Sequence, residues 1–217
     1  LYGKNIVLGS LYLSTGDTSF IHSTIIDGDS TDCTIAIYGN IDSTCRVTGF
    51  TIQNGVGCVY GQGAGIYVES ASPRLDNLII QNNIGGTNGG GICLNGNSNS
   101  LINKVVIRNN SADAGGGLYI FNSNPVITNS IINKNHANNG AGVFLELGSP
   151  NFENVTITDN DAISSGGGIY CGLASYPVLN HLTISNNSAS FGGGILSTQN
   201  SQPIFSNSIF WNDLPEE

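Results

Sequence analysis

Aliphatic residues recur along this chain in columns. One column reads Ile52, Ile80, Ile107, Ile132, Ile157, Ile184 and Phe210, with steps of 25 to 28 residues. Five positions ahead of it stands a second: Leu75, Ile102, Ile127, Phe152, Leu179 and Phe205. A third comprises Ile66, Ile92, Leu118, Val143, Ile169 and Ile195. A regular interval in this range is the mark of stacked repeats, each too small to bury its own apolar face. Within each unit the apolar residues are of strand type and show no useful helical periodicity. The pattern predicts an all-β fold, a single-stranded parallel β-helix of about 25–27 residues per coil. Three inward columns predict three strands per coil.

The polar positions mark the bends. Glycine-rich triplets precede the third column at 63–65, 89–91, 115–117, 140–142, 166–168 and 192–194. Asn77, Asn129, Asn154 and Asn207 mark a second corner, and Asn83, Asn110, Asn135, Asn160 and Asn187 a third. Stacked asparagines can bond to the next coil and to turn backbone that no strand ladder satisfies, so these ladders read as structural. Pro73, Pro125, Pro150, Pro177 and Pro203 sit just before the second column's strand, where a missing N–H is tolerated. Residues one before the first column (Thr51, Ile79, Val106, Ile131, Thr156, Thr183 and Ile209) should face outward by alternation.

The whole chain, 1–217, reads as one β-helix domain. Residues 47–213 form regular coils, 1–46 form irregular coils with loop excursions, and 214–217 form an acidic tail. In the first part, strands are expected at 6–8, 11–13, 24–26 and 35–38, with loops around 14–19 and 27–34. With no methionine anywhere, the chain reads as a processed or excised piece of a longer polypeptide.

Charge narrows the partners. The net charge is −9 with only six Lys and Arg, which argues against nucleic acid and anionic membranes. No apolar run approaches the ~20 residues of a membrane span, so no membrane insertion is expected. The five cysteines match neither a dense disulfide framework nor a CxxC metal site. Cys33 and Cys45 flank one turn-rich segment and are candidates for pairing in an oxidising compartment, with Cys58 nearby.

The Gly-Gly-Gly/Ala-Ile-Tyr units with a trailing Ile-x-x-Asn resemble right-handed parallel β-helix proteins of the pectate-lyase-like superfamily, above all the repeat of polymorphic outer-membrane proteins. The resemblance covers roughly 47–213. It implies a right-handed helix, which also agrees with the general preference of parallel crossovers. The ends, Gly3-Lys4-Asn5-Ile6 with Ile25-Ile26-Asp27-Gly28 and the run from Ser208 to Asp213, look similar to stretches of large secreted bacterial β-helix proteins. Location outside the cell or on a bacterial surface is what this resemblance implies. That superfamily spans lyases, hydrolases, adhesins and proteins without known activity.

A lyase of this fold needs carboxylates holding Ca²⁺ beside a basic residue, and a hydrolase needs paired carboxylates. In register the acids scatter: Asp76 and Glu153, like Glu69 and Glu146, share a column but lie three coils apart, ~14 Å at ~4.8 Å per coil. No catalytic or cofactor-binding motif emerges. Asp27, Asp29 and Asp32 are candidate Ca²⁺ ligands, with turn-forming acids on a solvated loop as the plainer alternative. His22, His136 and His181 occupy different coils and positions, His181 in place of a corner asparagine. Arg46, Arg74 and Arg108 have no carboxylate neighbour by register and read as solvated. One apolar row follows the third column: Tyr67, Cys93, Tyr119, Phe144, Tyr170 and Leu196. By alternation it should face outward, where it either stacks on itself for stability or binds a partner through Tyr67, Tyr119, Phe144 and Tyr170. The leading expectation is a non-catalytic structural or adhesive segment presenting a face to glycan or protein. The alternatives are a polysaccharide-active enzyme and a subunit stacked end to end with copies of itself.

Overall fold

A computed structural model describes residues 1–215; Glu216 and Glu217 of the expected acidic tail lie outside the described residues. Parallel strands stack coil on coil through about seven turns of an all-β solenoid. The three predicted columns are continuous. Ile52, Ile80, Ile107, Ile132, Ile157 and Ile184 pair successively. So do Leu75, Ile102, Ile127, Phe152 and Leu179, and Ile66, Ile92, Leu118, Val143 and Ile169. All of these side chains are buried in one core. Removing each from water contributes roughly 1.5–3 kcal/mol.

Among the described residues the strands form sheets of 14, 7 and 3 strands, so three faces do run along the stack. Their division differs from the expected one. The first two columns share the 14-stranded sheet, which bends between them at left-handed residues: Asn77, Lys104, Asn129, Asn154, His181 and Asn207, all near φ +50° to +55°. Asparagine tolerates that conformation best, and its recurrence there is what made the bend legible. The third column belongs to the 7-stranded sheet.

The remaining face is a short sheet formed by Ser111–Ala114, His136–Asn139 and Asp161–Ser165. Its inward side chains are Ala112, Ala137 and Ala162, paired coil to coil. Small residues suit this position because the glycine triplets press against the sheet: a Cβ on Gly116 would collide with the His136 carbonyl. With no room for a large aliphatic, the sheet adds no hydrophobic column, and its residues resemble a corner when read as sequence.

The Asn83 corner is buried. In each coil the backbone N–H and Nδ2 of one asparagine donate to the Oδ1 of the next, from Asn83 through Asn110, Asn135 and Asn160 to Asn187. Each Nδ2 also donates to an isoleucine carbonyl one coil back, as from Asn135 to Ile107 at 3.1 Å. Asp213 receives the last pair from Asn187.

The irregular start departs from expectation at 11–13, where Leu11 is a turn and Tyr12 and Leu13 are helical. Helix α1 (Tyr12–Thr15) ends at Gly16, whose φ of 72° lets its N–H close on the Tyr12 carbonyl. Helix α2 (Ser19–Ser23) follows. Their excursion lies over the outer face of the first coils, where the Thr51 hydroxyl donates to the Ile21 carbonyl at 2.8 Å. Thr51 and Ile79 are therefore buried, whereas Ile131 and Ile209 of the same outward column are exposed.

The disulfide joins Cys33 to Cys58, not to Cys45. Their separation of 25 residues is one coil, which places the two cysteines side by side with Cα atoms 4.7 Å apart. Cys45 is buried in the core.

Candidate functional site

The outer side of the short sheet carries a shallow, open groove of about 240 Å³, lined among others by Gly85, Ser111, Asp113, His136 and Asn138. Alternation sets its chemistry. Because Ala112, Ala137 and Ala162 point inward, their neighbours point outward. Ser111, His136 and Asp161 pair directly and form one outward column across three coils. Asp113 and Asn138 lie beside it, and Asn138 Nδ2 donates to Asp113 Oδ1 at 3.2 Å.

His136 Nδ1 stands 3.2 Å from Asp161 Oδ2, and the Ser188 hydroxyl donates to Asp161 Oδ1 at 2.5 Å. Both members of the His136–Asp161 pair are more than half exposed, so water screens their attraction. Among the described residues Ser111 Oγ makes no hydrogen bond to His136. The nucleophile–base contact that acyl transfer needs is therefore missing. What the row supplies is a ladder of hydroxyl, imidazole, carboxylate and amide groups at ~4.8 Å steps, open along its length. Exposed apolar residues flank it: Ile84 and Tyr60 towards the first coils, Ile163 and Phe191 towards the last. Sequence reasoning missed this site because it weighed His136 only against the other histidines and left Asp161 aside. Their separation of one coil was the signal.

The predicted aromatic row is placed differently from the exposed face expected of it. Its side chains do point away from the main core, but into the concave corner where the first glycine of each triplet folds back. There Tyr67, Cys93, Tyr119, Phe144 and Tyr170 form a second apolar cluster with Cys33, Tyr38, Cys58, Ala114 and Phe121. Tyr67 is 2 % exposed, and Tyr119 and Phe144 are 8 % exposed. Phe144 stacks between Tyr119 and Tyr170, with centroids 5.4 and 4.6 Å apart and planes within 11°. Burial pushes the Tyr67 hydroxyl up to about 12, against a hydrogen bond from Asn95 that acts to lower it. Burial likewise raises Tyr119 and the Cys93 thiol. Of the two readings of this row, its burial favours the structural one; Tyr170 and Leu196, at the row's far end, are the members only partly buried.

The three carboxylates suggested for Ca²⁺ do not converge. Asp27 accepts from Gln53 Nε2, Asn54 Nδ2 and the Asp29 N–H. Asp32 caps its own turn at the Cys33 N–H. Among the described residues, the only three ligand-type side chains whose atoms lie within 4.8 Å of one another are Asp32, Cys33 and Cys58. The two cysteines are spent in the disulfide.

Two of the three arginines also need correction. Arg46 and Arg74 both bond Asp76, which is fully buried and also receives the Thr48 hydroxyl and Asn77 Nδ2. Burial alone would raise the Asp76 carboxyl; the Arg46 guanidinium, with Thr48 and Asn77, outweighs it and holds the group below the usual carboxylate range. Arg108 lies on Gln81 Oε1 through Nε and Nη2. His181 keeps its corner position and its Nδ1 sits 2.9 Å from Glu153.

Parallel strands wound on one apolar core, with a bonded asparagine corner and a small-residue face, define the chain as a parallel β-solenoid. It belongs to the right-handed β-helix family: residues 9–176 match the family described as the right handed beta helix region. Residues 181–198 match the repeat of the Chlamydia polymorphic membrane protein. No curated protein and no solved structure matches the chain significantly.

Proposed function

We propose that this chain is a surface-displayed β-helix that binds a glycan along the groove of its short sheet. The observation that carries the reading is the outward row of Ser111, Asp113, His136, Asn138 and Asp161. It offers donors and acceptors at coil spacing in an open groove, bordered by exposed apolar side chains. A chain of sugar rings presents hydroxyls and apolar ring faces in the same alternation. The absent Ser111–His136 contact and the exposure of both His136 and Asp161 favour binding over catalysis. Two observations support a place outside the cytoplasm: the polymorphic membrane protein repeat and the Cys33–Cys58 disulfide.

A panel of neutral, acidic and amino-sugar oligosaccharides, screened by calorimetry, tests the reading. At least one class should bind the wild type, and Asp113→Ala combined with Asn138→Ala should abolish binding with the melting temperature held. No binding across the panel overturns it, and release of unsaturated or new reducing ends makes the protein an enzyme instead.

A further inference from the structure

One aromatic side chain sits in a conformation that its surroundings do not repay. Tyr60 has φ 54° and ψ 30°, the left-handed region that a bulky residue seldom occupies, and it is 87 % exposed. Such strain persists only where the surrounding structure imposes it, and it concentrates at binding sites.

The loop around Tyr60 is built to impose it. Cys58, two residues earlier, is tied by the disulfide to Cys33 on the neighbouring coil. The Cys58 N–H donates to the Gln62 carbonyl at 2.8 Å and the Gly61 N–H to the Cys58 carbonyl at 3.3 Å, closing a tight turn. Gly57 is obligatory, since a Cβ there would run into the Gly61 backbone. The far side of the turn docks on the next coil: the Gly86 and Thr87 N–H groups donate to the Gly61 carbonyl at 2.9 and 3.1 Å, and the Thr87 hydroxyl to the Tyr60 carbonyl at 3.0 Å. Gly86 adjoins Gly85, which lines the groove. The Tyr60 backbone is thus held at the groove's first end while its ring is left free in water.

We propose that the disulfide-pinned loop 57–61 is an aromatic subsite of the groove, with the Tyr60 ring stacking on the apolar C–H face of a pyranose in a bound oligosaccharide. This rests on the glycan reading above. A rigid backbone with an unpacked ring presents contact area at little entropic cost. The Asp113–Asn138 row lies beyond Gly85 along the solenoid axis, so the subsite engages only ligands long enough to reach both.

Calorimetry with cello-oligosaccharides and chito-oligosaccharides of increasing length tests this. For the series that binds, Tyr60→Ala should weaken the long members about tenfold and leave the shortest binders unchanged, whereas Tyr60→Phe should keep full affinity. Replacing Cys33 and Cys58 together by Ser should reproduce the loss seen in Tyr60→Ala. Tyr60→Gly should lower affinity for long members while raising the melting temperature, because glycine adopts the left-handed conformation freely. A purely structural Tyr60 would give a lower melting temperature in that variant. Wild-type binding with unchanged affinity in Tyr60→Ala at every length overturns the subsite and leaves the glycan reading intact. Failure of the wild type to bind either series or any panel sugar, or a protein found to fill the groove instead, overturns both.

Discussion

Arg46 holds Asp76 at both carboxylate oxygens, Nε to Oδ1 at 2.7 Å and Nη2 to Oδ2 at 2.6 Å, across 30 residues of chain. The pair bridges adjacent coils diagonally: Arg46 sits opposite Arg74, and Thr48 opposite Asp76. Asp76 is wholly buried, so its charge depends on these partners. Arg46→Met should cost about 3 kcal/mol in denaturant unfolding, because Arg74 alone remains to balance a buried carboxylate. A loss below a few tenths of a kcal/mol would show that the pair is dispensable.

The same carboxylate predicts an acid response. The folded protein holds Asp76 below its ordinary value, so its contribution to stability is complete above about pH 4 and fades as pH falls through the lowered folded value. Unfolding free energies of wild type and Asp76→Asn, measured as a pH series, should converge below about pH 4. A gap that stays constant through that window would exclude this origin.

Asp213 closes the asparagine ladder with the wrong chemistry on one side. Its Oδ1 accepts both donors of Asn187, but its Oδ2 is buried without a partner among the described residues. In the coil before, that position is an amide nitrogen, and Asn187 Nδ2 donates to the Ile157 carbonyl at 3.0 Å. Asp213→Asn should therefore stabilise the last coil by about 1–2 kcal/mol, visible as slower amide exchange around Asn187. Faster exchange there would mean that the carboxylate has a role the ladder does not account for.

Tyr119 fills the corner cluster beneath the glycine turns, stacked on Phe144. Tyr119→Ser should lower stability by about 3 kcal/mol and leave binding in the short-sheet groove unaffected in the surviving folded fraction. Retained stability would put the ring back among the surface residues.

The columns of Ile107 and its neighbours were readable because large aliphatics at fixed spacing have one physical use in a repeat chain. The short sheet was not, since its inward position holds only small residues and its outward residues are Ser, His and Asp, none typical of strands. Alternation correctly turned Tyr119 away from the core. It could not show that the fold at Gly115 would close over the ring, which depends on how two sheets meet. Arg46 and Asp76 illustrate a third limit: register compares residues straight across the coils, while the bonded pair is diagonal. Cys33 and Cys58 were one coil apart in the sequence from the outset, which favoured their pairing over the spacing of Cys33 and Cys45.

Every rung of the asparagine ladder points the same way, donating from the earlier coil to the later one, and each also reaches one coil back for a carbonyl. A rung is complete only when whole turns lie on both sides of it. An insertion of part of a turn would bring Asn135 opposite a residue that can neither receive its two donors nor return them, whereas a full extra turn of about 26 residues would slot in as another rung. The length of this solenoid is therefore free to vary only in integer turns, and the buried amides are what count them.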